Sequence, residues 1–147
     1  MKIRYITCEM EEIADLWELM KAYHVDVADN FSHEMEAAEF NKRMATIRGK
    51  SKLVNVLAAH KEDGEKVGYC ISSILKDENT GEIASLFVRQ EYRKLNIGKS
   101  LMEQSLTWIE NNNVDKKILS VASGNEVVIE YYKQFGFYPN MITLQQK

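Results

Sequence analysis

The sequence predicts a mixed α/β fold, with a mostly antiparallel central sheet, helices on both faces and the order β-α-α-β-β-β-α-β-α-β. Three observations carry this. Apolar, β-branched runs at 53–59, 67–75 and 82–88 are separated by short turns centred on Asp63-Gly64 and Asn79-Thr80-Gly81, as in a meander. Segments of helical period precede and follow that meander, so helices connect the remaining strands and cover both faces of the sheet. Finally, 147 residues with 45% hydrophobic side chains and one proline, Pro139, leave no linker, so residues 1–147 form one domain.

Each element has its own signal. Residues 2–7 alternate as a short strand. From about 9 to 28, Ile13, Leu16, Trp17, Met20 and His24 fall on one helical face. Asn30 and Ser32 can end that helix and cap a second one, which continues through Met35, Ala38 and Met44 to a stop at Gly49. After the meander, Ile97 to Asn112 form a helix with Met102, Leu106 and Ile109 on one face, broken by Asn111-Asn112-Asn113. Lys117 to Val121 read as a strand. Gly124 and Asn125 open a helix carrying Val128, Tyr131, Tyr132 and Phe135, and Gly136 ends it. Residues 137–145 read as a final strand.

Composition excludes several classes. A formal charge of −3 and a pI near 5.7 argue against a nucleic-acid partner. No apolar run reaches the roughly 20 residues of a membrane span, and the N-terminus has no apolar signal core. Cys8 and Cys70 are isolated and make neither a metal pattern nor a disulfide framework, so a reduced, cytoplasmic setting is expected. His24, His33 and His60 fit no metal-ligand spacing and are read as core or surface residues, and no metal is expected.

The most informative stretch is Leu86-Phe87-Val88, followed by the basic turn Arg93-Lys94-Leu95-Asn96 and the helix start Ile97-Gly98-Lys99-Ser100. Asn96 and Gly98 have easy access to left-handed backbone angles, so the turn can aim several N–H groups at one point. The helix N-terminus adds unpaired N–H groups and a positive dipole end. Together they suit a phosphate or pyrophosphate. Gly98-Lys99-Ser100 imitates the end of a P-loop, but that motif needs a glycine where this chain has Arg93.

The stretch instead resembles the pyrophosphate turn of the GNAT superfamily of acyl-CoA-dependent N-acetyltransferases, Arg/Gln-x-x-Gly-x-Gly/Ala after an aromatic-Val strand end. The resemblance rests on Phe87, Val88, Tyr92, Arg93, Ile97 and Gly98. It departs at Asn96 and Lys94, where the family commonly has glycine, and at Gln90, where proline is common. Asn is the best non-glycine choice for a left-handed position. The stretch Asn125…Tyr131-Tyr132-x-x-Phe135-Gly136-Phe137 resembles the family's C-terminal motif, and the strand and helix order is the one the family would have.

The resemblance implies acetyl-CoA as cosubstrate, with no metal. Leu86, Phe87, Val88, Arg93, Lys94, Leu95, Asn96, Ile97, Gly98, Lys99, Ser100, Asn125 and Tyr132 would hold it. Tyr132, four residues before Gly136, would protonate the departing thiolate in a ternary complex. A phenol keeps its proton at neutral pH and can give it up as charge develops on sulfur. Glu82, or a water chain, would serve as general base. The acceptor would be a small-molecule or peptide amine. Between Glu9 and Glu39 stand ten acids (Glu9, Glu11, Glu12, Asp15, Glu18, Asp26, Asp29, Glu34, Glu36, Glu39) against one cation, Lys21. Such a surface would attract a cationic amine by field focusing, or would simply be a solvated helix face. A homodimer is compatible with this reading. The alternative is a catalytically silent acyl-CoA-binding regulatory module on the same fold.

Overall fold

The computed structural model describes residues 1–147. Strand β1 (Ile3–Thr7) leads through a 3-10 turn (Met10–Ile13) into α1 (Ala14–Val27), α2 (Ser32–Ala37) and α3 (Phe40–Lys50). The meander β2 (Ser51–Lys61), β3 (Lys66–Leu75) and β4 (Thr80–Val88) follows, then α4 (Ile97–Glu110), β5 (Lys116–Leu119) and α5 (Val128–Lys133). The five strands lie side by side in sequence order. The first three pairings are antiparallel, and β4–β5 is parallel because α4 carries the chain back across the sheet.

Strand alternation feeds two cores. On one face Val56, Ala58, Tyr69, Ile71 and Phe87 pack under Ile13, Trp17, Met44 and Ile47 of the 3-10 turn, α1 and α3. On the other, Leu57, Ala59, Val67, Cys70 and Ile83 pack under Ile97, Leu101, Met102 and Ile109 of α4. This is the expected sheet with helices on both faces.

Three boundaries differ from the sequence expectation. The helix expected from about residue 30 to 48 is two helices, because Ala38 and Glu39 are extended, and α3 runs through Gly49 to Lys50. The last helix begins at Val128 rather than at Gly124. Residues 137–145, expected as a final strand, form no regular element. A strand needs a ladder and an apolar face, and this segment has neither. The adjoining edge strand β5 has four residues. Pro139 offers no N–H. Tyr138, Met141, Ile142 and Leu144 are all largely exposed.

Two features of β4 set up the site. Ile71 pairs with Ser85 while Ser72 pairs with Ile83, so Ala84 is an extra, bulged residue. Its carbonyl accepts a hydrogen bond from Arg43 Nη2 (3.3 Å). In addition, β5 pairs with β4 only from Thr80↔Lys116 to Ile83↔Leu119. Beyond Ile83 the two strands part, and the free edge of β4 from Ala84 to Val88 faces an opening.

Candidate acyl-CoA cleft

That opening is a cleft of about 620 Å³. Its floor is Leu86, Phe87 and Val88 of β4, one wall is the Arg93–Lys99 turn, and the other is Asn125, Val127, Val128, Tyr131 and Tyr132. Tyr23 and His24, from the last turns of α1, close it from above. The sequence-expected residues Leu86, Phe87, Val88, Arg93, Lys94, Asn96, Ile97, Gly98, Lys99, Asn125 and Tyr132 therefore meet in one place. Leu95 and Ser100 do not line it. Leu95 points outward, 52% exposed. The Ser100 N–H is already spent on the Asn96 carbonyl (3.0 Å).

The turn is shaped by two left-handed residues, Lys94 (φ 67°) and Asn96 (φ 63°). Sequence reasoning placed the second at Gly98, which instead lies within the first turn of α4 and has no positive φ. Glycine leaves room there for a different reason: a Cβ on residue 98 would lie 3.0 Å from Tyr131 Oη, so the tyrosine would have to shift. No side chain caps α4, so its first N–H groups face the cleft unpaired. The turn is anchored from behind by Glu65 of the β2–β3 hairpin. Glu65 accepts a hydrogen bond from Tyr92 Oη (3.1 Å) and pairs with Arg89 (3.2 Å).

The cleft lining contains Arg93, Lys94 and Lys99 and no carboxylate. Arg93 does not reach along the helix start. Its Nε donates to the Val88 carbonyl (3.0 Å), and the guanidinium lies 5.0 Å from the Tyr23 ring centroid and 5.6 Å from that of Phe87. It forms the wall between the cleft and a second cavity of about 480 Å³, which runs along Leu19, Ala22 and Asp26 of α1. Asp26 is the one residue of the ten-acid run to line either cavity.

The roof is tied down where α1 ends. Gly124 (φ 94°) packs so closely on the Val27 carbonyl that no side chain fits. Tyr23 Oη donates to Asn125 Oδ1 (3.1 Å). The Asn125 carbonyl is thereby used, and its amide N–H groups are left for a ligand acceptor.

Tyr131 and Tyr132 both line the cleft, their rings 5.4 Å apart and edge to face. The Tyr131 hydroxyl rests on the helix start at Gly98, whereas Tyr132 packs inward against the α4-side core. Burial, chiefly, pushes the Tyr132 phenol well above its ordinary range, so it stays protonated at neutral pH.

Glu82 is not brought to this site. It is the third residue of β4, four residues or roughly 13 Å of strand before Leu86. Its buried carboxylate is paired with Lys50 Nζ at 2.7 Å. Sequence spacing could not foresee a partner arriving from the end of α3. His24 is the converse case, a cleft residue that sequence reasoning assigned to core or surface. The signal was its place at the last turn of the first helix, which the fold swings over the end of β4. Neither cysteine lines the cleft, and burial raises both thiols to about 11.

This arrangement is a strand edge opened beside an uncapped, cationic helix start. The chain matches the Acetyltransferase (GNAT) family model over residues 13–137 and belongs to that family. It is 35% identical, over 51% of its length, to an N-alpha-acetyltransferase of Sulfurisphaera tokodaii. It is 38% identical, over 38% of its length, to an uncharacterized N-acetyltransferase of Dictyostelium discoideum. The matches span 52% and 26% of those relatives. Solved structures share the fold, among them three proteins each matched over 100% of this chain and 99% of that one. They are the BH1408 protein of Bacillus halodurans (a tetramutant; TM-score 0.74, 20% identity), the glucosamine-6-phosphate N-acetyltransferase of Arabidopsis thaliana (0.67, 19%) and the ribosomal-protein-alanine N-acetyltransferase of Brucella melitensis (0.67, 15%).

Proposed function

We propose that this protein transfers an acetyl group from acetyl-CoA to a primary amine by direct attack in a ternary complex. The observation that carries the reading is the parting of β4 from β5 beside the cationic turn. Acetyl-CoA supplies an activated thioester, and each part of it has a fitting surface. The pyrophosphate suits the open N–H groups of α4 with Lys94 and Lys99 alongside. The pantetheine amides suit the β4 edge that β5 leaves open between Ala84 and Val88, as an added strand would, together with the Asn125 amide. Tyr132 gives its proton to the departing sulfur. The base role expected of Glu82 is left out of this reading, because its carboxylate is already paired and lies outside the cleft. The acceptor amine enters from the α1 side, along the cavity that shares Tyr23, Phe87 and Arg93 with the cleft. The relatives' names, N-alpha-acetyltransferase among them, agree with an amine acceptor.

The test is a screen of small amines and peptides with acetyl-CoA, read by mass spectrometry. An acetylated product with free CoA released in equal amount is expected. Acetyl-CoA binding by calorimetry with no product from any amine would favour a silent acyl-CoA-binding module. Absence of binding would remove the reading altogether.

A further inference from the structure

The thioester carbonyl is where an amine adds, and its oxygen gains negative charge as the new bond forms. Holding that charge calls for a hydrogen-bond donor aimed at the oxygen. In the acetyltransferase reading above, the β4 edge and Asn125 take the pantetheine amides, and Tyr132 serves the sulfur. Over that edge the roof offers two side chains, Tyr23 and His24. The Tyr23 hydroxyl is already given to Asn125 Oδ1 (3.1 Å). Resting on that reading, we infer that His24 donates a hydrogen bond from its Nε2–H to the thioester carbonyl oxygen of acetyl-CoA and stabilises the charge that develops there.

The surroundings of the ring decide which nitrogen carries the proton. Nδ1 is sealed from solvent and has no hydrogen-bond partner. A sealed N–H without an acceptor is a rare and costly arrangement. Nδ1 therefore bears the lone pair, and Nε2 bears the proton. The same seal disfavours the imidazolium, in which both nitrogens would be donors. His24 thus lines the cleft as a neutral donor. Burial, with Arg93 nearby, acts in the same direction. A neutral imidazole can polarise a carbonyl in this way. The donor is also fixed before any ligand arrives. Its ring meets Tyr23 edge to face with centroids 5.5 Å apart. Tyr23 is held in turn by Asn125 and by the Arg93 guanidinium, 5.0 Å from its ring centroid. A donor held in this way need not reorient as charge develops, which is what makes it effective.

His24 moves no proton. As the amine nitrogen bonds to the carbonyl carbon, the carbonyl π pair moves onto oxygen. It returns when the C–S bond breaks and that bond's pair leaves on sulfur. The amine's proton goes to solvent water, Tyr132 protonates the sulfur, and solvent returns one proton to Tyr132.

The test uses the full chain, acetyl-CoA isotope-labelled at the thioester carbonyl, and the amine that the screen identifies. Without amine, the infrared carbonyl band of bound acetyl-CoA should lie at lower frequency in the parent than in His24→Leu. By calorimetry, His24→Leu should weaken acetyl-CoA binding by about three- to tenfold, the weight of one hydrogen bond. Its affinity for CoA, which has no thioester carbonyl, should be unchanged. With amine, kcat should fall by about 10²–10³-fold in His24→Leu and by less than about tenfold in His24→Gln, whose side-chain N–H can still donate. A carbonyl band that does not move, an equal loss of affinity for acetyl-CoA and CoA, or a His24→Gln variant as slow as His24→Leu would overturn the inference and leave the acetyltransferase reading standing. A parent that binds acetyl-CoA and acetylates no amine would overturn that reading and the catalytic part of the inference with it, while the band and the two affinities decide the contact alone. A parent that binds no acetyl-CoA would overturn both.

Discussion

Adjacent tyrosines on α5 illustrate how much a single helical position decides. Tyr131 places its hydroxyl beside Gly98 and is half-buried, whereas Tyr132 is driven deeper and holds its proton harder. With Tyr132 as the proposed proton donor to sulfur, Tyr132→Phe should lower kcat by about 10²–10⁴-fold with little change in acetyl-CoA affinity. Tyr131→Phe should affect binding more than turnover, and steady-state kinetics on both variants checks the ranking. Lys94 makes a similar point about backbone. A lysine at φ 67° carries strain of about 1–2 kcal/mol that glycine would not. Against that stands glycine's greater loss of freedom on folding. Lys94→Gly should raise the melting temperature by about 2–4 °C, read by calorimetry. For His24 the sign follows from burial. Its folded pKa lies below the ordinary 6.5, so the unfolded chain binds the proton more readily between those two values. Stability should fall as pH drops from 6.5 towards the folded value, and fall less in His24→Gln; melting curves from pH 7.5 to 5 test this.

At the scale of elements, β4 is the organising piece. Gly81 lets α4 lie directly on the sheet, because a Cβ there would collide with the Ile109 side chain. Gly81→Ala should cost about 1–3 kcal/mol as α4 is forced outward. It should also weaken acetyl-CoA binding, since the start of the same helix is the proposed phosphate site; urea melts and calorimetry measure the two effects separately. The meander and α4 were legible in the sequence because their apolar periods are long and their turns carry Asp-Gly or Asn-Thr-Gly. The turn was legible because Asn96 tolerates left-handed angles, but Lys94 gave no such signal, and the tight contact at Gly98 is tertiary. The final strand expected at 137–145 failed for the same kind of reason: a four-residue β5 offers it no ladder. Lys50 pairing with Glu82, and α1 placing His24 over the cleft, depend on packing between segments distant in sequence. No local pattern encodes either.

Across the whole molecule, charge is divided between two regions. Ten of the 22 acids lie between Glu9 and Glu39, on the 3-10 turn and the first two helices and next to their ends, while the cleft lining carries cations and no acid. An anionic cosubstrate and a cationic acceptor would thus be drawn to different sides of β4. Only Asp26 of these acids lines the cleft or its neighbouring cavity, so most of the attraction on the acceptor side would act at long range, where salt screens it within about 8 Å at 0.15 M. With a cationic amine, kcat/KM should fall as salt rises from 0.02 to 0.3 M, by about three- to tenfold given the usual weight of electrostatic steering. Changing Asp26, Asp29 and Glu34 together to Asn or Gln should raise KM for the amine, flatten that salt response and leave KM for acetyl-CoA nearly unchanged. Steady-state kinetics at two ionic strengths on parent and variant decides it. A salt response equally flat in both, with unaltered amine KM, would make the acidic helices ordinary solvated surface and leave acceptor choice to the short-range contacts of Asp26, Tyr23 and Arg93.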